Sequence, residues 1–243
     1  MSNPDVFLAL PTYDNTLSVR TMWGVLDAGG TVLKGERLHV AIGSIGSSLL
    51  AHGFNQLWCQ GLCSKAKYFA MMHADIGPEP GWLATLIDEL ETHDADVMSV
   101  VIPIKSNEGR YSTAIGRNYG EPLYRMTRDD WHHLPDTFGA KELSALCGQD
   151  GDLLVNTGLW IARLDRPWNR QIWFEISTRI INDGENMHCG VVSEDWFFSY
   201  QLAELNCKVM ATKKVNVLHQ GTYMWSNAPT EQLTNVPSMA GEG

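Results

Sequence analysis

The sequence predicts an α/β fold in which helices flank a central, mainly parallel sheet. Through residues 1–104, short apolar runs alternate with segments whose apolar residues recur at helical spacing. The apolar runs end at loops that carry proline, glycine or aspartate, as strands buried on both faces of a sheet do. Parallel strands joined through helices bring their carboxyl ends to one edge of the sheet, where such folds bind ligands.

The size of the chain sets the domain organisation that we expect. It has 243 residues, of which 44% are hydrophobic, enough to bury the core of one compact domain or two small ones. We predict a single domain with two halves, 1–104 and 105–221. A polar tail, 222–243, follows without a clear period, and we expect it to be flexible or to act as a lid.

Charge and cysteine content exclude several classes of protein. With 18 basic and 28 acidic residues the formal charge is -10, which argues against a broadly basic nucleic-acid binder. No apolar stretch reaches the length of a transmembrane helix, and the amino terminus lacks the layout of a signal peptide. The 5 cysteines form no Cys-x-x-Cys pair, so reduced thiols in a cytoplasmic protein are expected.

The first half of the chain contains the regular alternation of strands and helices. Strands are predicted at 6–10, 39–42, 68–72 and 96–103. Helices are predicted at 17–26, 47–62 and 82–92. The second strand is expected to end in a turn at 43–46, and Ser47 or Ser48 to cap the helix that follows.

The second half is less regular. Residues 105–152 are rich in glycine, aspartate and arginine, and we expect loops and short strands over a cleft. Beyond them the pattern predicts strands at 155–163 and 214–218 and helices at 168–182 and 196–205. Five basic or aromatic side chains of the loop-rich region are candidate acceptor contacts, although a solvated loop is the default interpretation: Arg125, Arg128, Trp131, His132 and His133.

Asp75 is the first residue that the pattern places at a ligand site. It follows the buried strand 68–72, so a carboxylate there can face a ligand while the strand fixes its position. His73 lies two residues earlier and points to the same face of an extended chain. An imidazole with a carboxylate suits Mn²⁺ or another borderline divalent ion. The alternative is a turn or helix-capping aspartate.

Two further sets of candidates come late in the chain. Glu194 and Asp195 open the segment 196–205, where acidic side chains also simply favour the positive end of a helix. His219 follows an apolar strand and precedes Gly221. Taken alone, a histidine in such a place is more often a hydrogen-bonded structural group.

Six segments in order carry a family resemblance. They are 9–13 (Ala-Leu-Pro-Thr-Tyr), Asn55 within 47–62, 69–83 with His73-Ala74-Asp75, 156–163 with Gly158, 193–198 with Glu194-Asp195, and 217–221 with His219-Gln220-Gly221. Together they resemble a GT-A glycosyltransferase of the family 2 type, over about residues 5–221. In that family an Asp-x-Asp motif is usual; here His73 replaces its first aspartate, and His52-Gly53 depart from the residues usual before the motif.

The resemblance implies a role for each matching residue. The donor nucleotide sugar would be bound by Pro11, Thr12, Tyr13, Asn55, His73, Ala74, Asp75, Asn156 and Gly158. A divalent ion, Mn²⁺ or Mg²⁺, would be held by Asp75 and His219, with His73 as a third candidate. Asp195 would be the general base of an inverting reaction and Glu194 the second choice.

The function that the resemblance implies is transfer of a sugar from a nucleotide diphosphate sugar, preferably a UDP-sugar, to a hydroxyl acceptor. Residues 1–104 would bind the donor, and 105–221 would bind the acceptor and carry out the reaction. The acceptor is a glycan, a small molecule, a protein or a hydroxylated DNA base, so nucleic acid enters only as an acceptor. The stereochemical outcome and the oligomeric state stay open.

Two alternatives compete with this function, because one fold hosts several activities. A nucleotidyltransferase would normally carry a glycine-rich loop with a basic residue after the first strand, and the segment 11–15 has neither. A non-catalytic module that binds a sugar or nucleotide is favoured if the replacement at His73 has removed the metal site. Binding without metal dependence or turnover would identify it.

Overall fold

The computed structural model of the protein describes residues 3–182, 184–221 and 224–227. Its strands are β1 (Val6–Thr12), β2 (Val32–Leu33), β3 (Glu36–Arg37), β4 (Val40–Gly46), β5 (Tyr68–Met72), β6 (Ile76–Pro78), β7 (Val97–Val100), β8 (Arg110–Gly116), β9 (Tyr124–Thr127), β10 (Thr137–Phe138), β11 (Asp152–Leu154), β12 (Leu159–Arg163), β13 (Ser177–Asn182), β14 (Met187–Val192), β15 (Val209–Thr212), β16 (Val217–Gln220) and β17 (Met224–Ser226). Its α-helices are α1 (Val19–Gly29), α2 (Leu50–Ser64), α3 (Trp82–Thr92), α4 (Arg128–His133), α5 (Ala140–Cys147) and α6 (Glu194–Glu204). Across the described ranges, none of these helices has both the length and the apolar character that crossing a membrane requires.

Seven strands form the central sheet in the order β10-β15-β7-β12-β5-β1-β4. β12 is antiparallel to both of its neighbours and β10 is antiparallel to β15, so the other strands share one direction. The predicted α/β fold, with a mainly parallel sheet and flanking helices in one domain, is confirmed. Because β12 lies between β5 and β7, both predicted halves of the chain contribute to this sheet.

The sequence of β1 explains why helices cover both faces of the sheet. Every residue of β1 is buried, and successive side chains point to opposite faces. Val6, Leu8 and Leu10 join a core with α1 and α3, whereas Phe7 and Ala9 join a second core with α2. Such a strand reads as a continuous apolar run rather than an alternating one.

The second core is rich in aromatic rings and connects distant parts of the chain. Trp160 of β12 is fully buried and packs against Trp58 of α2, Phe69 of β5 and Phe198 of α6, with ring centroids between 4.8 and 6.0 Å apart. The indole nitrogen of Trp58 also donates to the carbonyl oxygen of Asn169 at 3.1 Å. This packing fixes α6, which carries the acidic pair, against the central sheet.

The helix predicted at 168–182 is wrong. A short 3-10 helix, Pro167–Arg170, is followed by extended chain and then by β13, which pairs with β14 in a hairpin. Ile172 and Phe174 are buried while Trp173 between them is 50% exposed, so burial alternates with a period of two and not at helical spacing. The apolar residues of this stretch enter the aromatic core from an extended backbone.

The turn predicted at 43–46 is also wrong, because β4 continues through these residues. Gly43 is needed for close packing: a β-carbon there would collide with the ring of Phe7 on the adjacent strand. The predicted serine cap is wrong as well. Leu49 occupies the N-cap position of α2 without a side-chain hydrogen bond, and the hydroxyl of Ser47 instead accepts from the backbone of Leu49 at 3.1 Å.

The region 105–152 contains the predicted short strands and also two helices that the pattern missed. β11, β8 and β9 form a three-stranded antiparallel sheet. Helix α4 starts with a capping box, in which the side chains of Thr127 and Asp130 each bond the other's backbone. Helix α5 ends at Gly148, whose φ of 68° favours glycine. These cap residues are the local signals that could have located both helices.

The predicted flexible tail is corrected at its start. Met224–Ser226 form β17, which pairs antiparallel with β16. Asn227 is fully buried, and its side chain bonds the backbone of Val101, Val215 and Val217 at 2.8 to 3.1 Å. These residues therefore belong to the domain. The other residues of the predicted tail, 222–223 and 228–243, lie outside the described residues.

Candidate functional site

An open cavity of about 600 Å³ lies at the carboxyl ends of β1 and β5. The described residues that line it are Pro11, Thr12, Tyr13, Asp14, Thr16, Leu17, Ser18, Ser47, Ser48, Leu50, His73, Ala74, Asp75, Gln220 and Gly221. This is the edge at which parallel α/β sheets bind ligands. Six of the nine predicted donor-binding residues are in this set: Pro11, Thr12, Tyr13, His73, Ala74 and Asp75.

The loop after β1 forms one wall of the cavity and is held by hydrogen bonds from Thr12. Its hydroxyl donates to the carbonyl oxygen of Ile45 and accepts from the backbone of Asn15, both at 3.2 Å. A β-carbon at Gly46 would overlap the side-chain amide of Asn15, so a larger residue there would have to displace that amide. Tyr13 is 77% exposed and its ring is free to stack on a planar ligand.

The opposite wall is the turn after β5, which the backbone fixes firmly. The carbonyl oxygen of Ala74 accepts from the backbone of Ser18 at 2.9 Å and from the hydroxyl of Thr21 at 2.8 Å. The carbonyl oxygen of Asp75 accepts from the backbone of Gln220 at 2.8 Å. Helix α1 and strand β16 thus hold the backbone of this turn from both sides, and Asp75 lines the cavity.

Two positively chargeable groups meet the Asp75 carboxylate. The ammonium of Lys105 pairs with Oδ2, and Nε2 of His219 lies 3.6 Å from the same oxygen. Burial alone would raise the pKa of Asp75, but hydrogen bonds from His219 and Lys105 outweigh it and hold this pKa well below its usual range. Asp75 is therefore ionised at neutral pH.

His219 is oriented by a second contact. Its Nδ1 lies 2.9 Å from the carbonyl oxygen of Pro103. A carbonyl oxygen only accepts, so Nδ1 carries a proton and donates it to Pro103, which turns the Nε2 edge of the ring toward Asp75. This arrangement resembles the way in which histidine ligands of metals are oriented by a backbone carbonyl.

His73 lies behind this pair, against α2. Its ring packs on Phe54 with centroids 5.1 Å apart, and its Nε2 is shielded from solvent without a hydrogen-bond partner. Burial lowers the pKa of His73 to about 4 although the charge of Asp75 acts in the opposite direction, so the ring is neutral at pH 7. A shielded nitrogen without a partner has an unused lone pair or proton for a ligand.

The donor groups around Asp75 fit a divalent ion only in part. A carboxylate and an imidazole suit a borderline ion such as Mn²⁺. Within the part of the chain that the structure describes, however, no three side chains of His, Cys, Asp and Glu are grouped so as to hold a metal ion. Lys105 also pairs with Oδ2 of the same carboxylate that would hold the ion. Bound at Asp75 and His219, an ion would depend on ligand oxygens to complete its coordination.

The acidic pair begins helix α6, as its position in the sequence suggested. One oxygen of Asp195 accepts from its neighbour's backbone, that of Trp196, at 2.9 Å and also pairs with the hydroxyl of Ser193. Burial raises the pKa of Glu194 to about 7, with a further contribution from the charge of Asp195, and burial also raises the pKa of Asp195. Two carboxyl groups with raised pKa values suit proton transfer near neutral pH.

The raised pKa of Glu194 predicts a pH-dependent stability. The folded protein holds this proton more tightly than the unfolded chain, so the free energy of unfolding falls as the pH rises from 4.5 toward 7. Replacing Glu194 with glutamine should raise the melting temperature at pH 8 by about 2–4 °C, as about 1 kcal/mol does in a chain of this size, and leave it nearly unchanged at pH 4.

Thermal melting at both pH values checks this expectation. Glu36→Gln, on the exposed strand β3, is the matched control and should not give a gain that grows with pH. An equal effect of Glu194→Gln at pH 4 and pH 8 would show that the folded protein does not raise the pKa of Glu194.

Hydrogen bonds connect the acidic pair to the strand that leads to Asp75. The hydroxyl of Ser199 donates to the carbonyl oxygen of Asp195 at 2.7 Å and accepts from the backbone of Val155 at 3.0 Å. The carbonyl oxygen of Gly158 then accepts from the backbone of His73 at 2.8 Å. Helix α6, β12 and β5 are thereby linked, although Glu194 and Asp195 are not among the described residues that line the large cavity.

Three predicted donor-binding residues lie elsewhere in the described structure. Asn55 exchanges two hydrogen bonds of 2.8 Å with the backbone of Phe174, so both ends of its amide are used within the protein. Asn156 accepts from the backbone of Gly158 at 2.6 Å. A β-carbon at Gly158 would meet that same Asn156 side chain at 2.6 Å, which explains glycine at this position.

A second open cavity, of about 420 Å³, adjoins the start of α6. It is lined by Glu121, Pro122, Arg125, Val191, Ser193 and Trp196. The guanidinium of Arg125 lies over the ring of Trp196, 4.5 Å from its centroid. Of the predicted acceptor contacts, Arg125 therefore faces an open cavity, whereas Trp131 is buried and stacks on Tyr111.

Lys105, Ser18 and Gln220 are among the residues of the large cavity and its rim that were not predicted as site residues from the sequence. Lys105 lies in a loop without a pattern, and no sequence signal placed it next to Asp75. Ser18 is the N-cap of α1 and could have been recognised as such, because its side chain accepts from the backbone of Thr21. Gln220 adjoins the predicted His219.

No protein-family model matches this sequence, and a search of curated proteins gave no match. Solved structures do match in fold. A197 from STIV aligns with a TM-score of 0.50 at 10% identity, over 89% of this chain and 85% of that chain. TarS 1-349 from S. aureus in complex with UDP-GlcNAc aligns with a TM-score of 0.48 at 11% identity, over 86% of this chain and 56% of that chain. The chain thus spans a little over half of the TarS structure, and the likeness to A197 concerns the fold alone.

Proposed function

We propose that the protein is a glycosyltransferase that moves a sugar from a nucleotide diphosphate sugar, preferably a UDP-sugar, to a hydroxyl acceptor. The observation that carries the proposal is the cavity between the loop after β1 and the turn after β5. It brings together residues that are at least sixty positions apart in the chain, namely Pro11, Thr12 and Tyr13 with His73, Ala74 and Asp75. These residues belong to two of the segments that carry the family resemblance, which implies that both bind the donor.

The two walls of the cavity would bind different parts of the donor. Tyr13, exposed at the first wall, would stack on the uracil, and the backbone around Thr12 would contact the base and ribose. The diphosphate would lie toward Asp75 and Gln220 at the opposite wall. Residues 1–104 would thus supply most of the donor site, and residues 105–221 would supply the acceptor side.

A divalent ion, Mn²⁺ or Mg²⁺, would supply Lewis-acid stabilisation of the negative charge that develops on the departing diphosphate. Asp75 and His219 are the residues that would hold the ion, and His73 is the third candidate ligand. Hydrogen bonds support their placement: Asp75 is held through its backbone carbonyl and His219 through its ring nitrogen Nδ1. Metal dependence is part of the proposal.

On the acceptor side, Asp195 would take the proton from the attacking hydroxyl, with Glu194 as the second choice. The support is their raised pKa values and the open cavity beside Ser193 and Trp196, where an acceptor could approach. A base in this role implies inversion at the anomeric carbon. The acceptor would be a glycan, a small molecule, a protein or a hydroxylated DNA base.

Release of the nucleotide from a panel of donors tests the proposal without knowledge of the acceptor. The protein is incubated with UDP-glucose, UDP-galactose, UDP-GlcNAc, GDP-mannose and the nucleoside triphosphates, with Mn²⁺, Mg²⁺ or EDTA. We expect slow release of UDP from one UDP-sugar. Release of pyrophosphate from a triphosphate would instead indicate a nucleotidyltransferase, and tight binding without turnover would indicate a binding module.

A further inference from the structure

The charge of the large cavity conflicts with the anionic ligand proposed for it. Two carboxylates, Asp14 and Asp75, belong to its lining, whereas no lysine or arginine is among the described lining residues. A nucleotide diphosphate carries negative charge of its own, and like charges at close range disfavour binding. Binding of a diphosphate therefore requires a cation that the lining itself does not contain.

Lys105 is the cation that the structure places at this point. Its ammonium pairs with Oδ2 of Asp75, and the two side chains are 35% and 38% exposed. Its aliphatic stem passes close to Gly221, another lining residue: a β-carbon at Gly221 would lie 3.1 Å from Cδ of Lys105. The ammonium is thus at the rim of the cavity and reaches it from outside the lining.

We propose that Lys105 binds the diphosphate of the donor and that Asp75 holds its ammonium at the rim until the donor arrives. The inference rests on the proposed function. An ammonium has three donors on a flexible stem, so it can turn from a carboxylate to a phosphate oxygen with little movement of the backbone. A positive charge in that position also stabilises the leaving group as its bond to the sugar breaks.

The same contact sets Lys105 and a divalent ion in competition. Both would bind the carboxylate of Asp75, and two cations on one carboxylate repel each other. An ion bound at Asp75 would therefore favour a position of the ammonium nearer the diphosphate. Without an ion, Lys105 is the lysine that pairs with a described lining side chain, next to His219 on the same carboxylate. Lys105 consequently contributes to diphosphate binding with or without Mn²⁺.

Calorimetry tests this role by measuring the binding of UDP and of uridine, in EDTA and in Mn²⁺. The proteins compared are the wild type, Lys105→Met, Lys105→Arg and Lys141→Met. Lys105→Met should weaken UDP binding about tenfold or more, the effect of losing one hydrogen bond between charged groups, and should leave uridine binding unchanged. Lys105→Arg should keep most of the affinity for UDP. Lys141→Met, on the exposed face of α5, is the matched control and should bind like the wild type.

The same substitution in the Asp75→Asn protein distinguishes two roles of Lys105: contact with the phosphate, and neutralisation of the Asp75 charge. If Lys105 binds phosphate, Lys105→Met should weaken UDP binding by a similar factor when Asp75 is already asparagine. Loss of the effect in that background, or wild-type UDP affinity of Lys105→Met itself, would overturn the inference. Failure of the wild type to bind either UDP or any UDP-sugar would overturn the proposed function instead, and melting curves of each variant confirm folding.

Discussion

Replacement of Asp75 with asparagine should lower the Mn²⁺-dependent release of UDP from the donor at least about a hundredfold, since a metal ion supplies several kcal/mol of charge stabilisation at a leaving group. The substitution keeps the shape of the side chain but removes the charge that both Lys105 and His219 face. His219→Ala should give a loss of similar kind, because it removes the imidazole that would hold the ion together with Asp75. Steady-state release of UDP at saturating donor measures both.

A matched control for this prediction lies in the same cavity. Asp14 is also an acidic lining residue, but it is exposed and bonds the hydroxyl of Thr16 within its own loop. Asp14→Asn should therefore change the rate by less than about threefold, the range of an ordinary surface substitution. Turnover by a folded Asp75→Asn protein at the wild-type rate would contradict the proposed place of the diphosphate.

Replacement of Asp195 with asparagine should reduce glycosyl transfer to an acceptor by about 10²–10⁴-fold, the usual contribution of a general base. Binding of the donor should stay within about twofold of the wild type, because Asp195 is not among the described residues of the donor cavity. The readout is therefore a fall in kcat for transfer without a matching change in Kd for UDP. Glu194→Gln is the comparison, and a larger loss in that variant would make Glu194 the base.

The acidic pair also predicts the pH dependence of transfer. A general base acts when it is deprotonated, and burial raises the pKa of both Asp195 and Glu194, that of Glu194 to about 7. The rate of transfer should thus fall as the pH is lowered from 8 through 7, and this limb of the profile should be altered by Asp195→Asn or Glu194→Gln. A rate that is constant from pH 8 to pH 5 would exclude both carboxyl groups as the base.

The parts of the fold that the sequence predicts best are those whose burial produces a simple pattern. β5 and α3 have the predicted bounds, because one is apolar and buried at every position and the other has a glycine and a proline before it and buried residues at helical spacing. The helix predicted at 168–182 was wrong for the opposite reason. Their aromatic and aliphatic residues fill a core around Trp160 from an extended chain, which local periodicity cannot distinguish from a short helix.

The candidate site divides in the same way. Asp75 could be placed from its position after a buried strand, but its partners depend on the tertiary fold. β16 pairs with β6, which brings His219 opposite Ile76, and the loop after β7 brings Lys105 to the same carboxylate. Asn55 shows the converse: the resemblance suggested a ligand contact, whereas the fold uses its amide to hold the backbone of Phe174.

The most direct test of the central claim is a crystal structure of the protein with UDP and Mn²⁺. We expect UDP to occupy the cavity at the carboxyl ends of β1 and β5, with the uracil against Tyr13 and the diphosphate beside Asp75. This expectation would be contradicted by UDP bound at another surface, or by a nucleotide in the cavity whose diphosphate points away from Asp75.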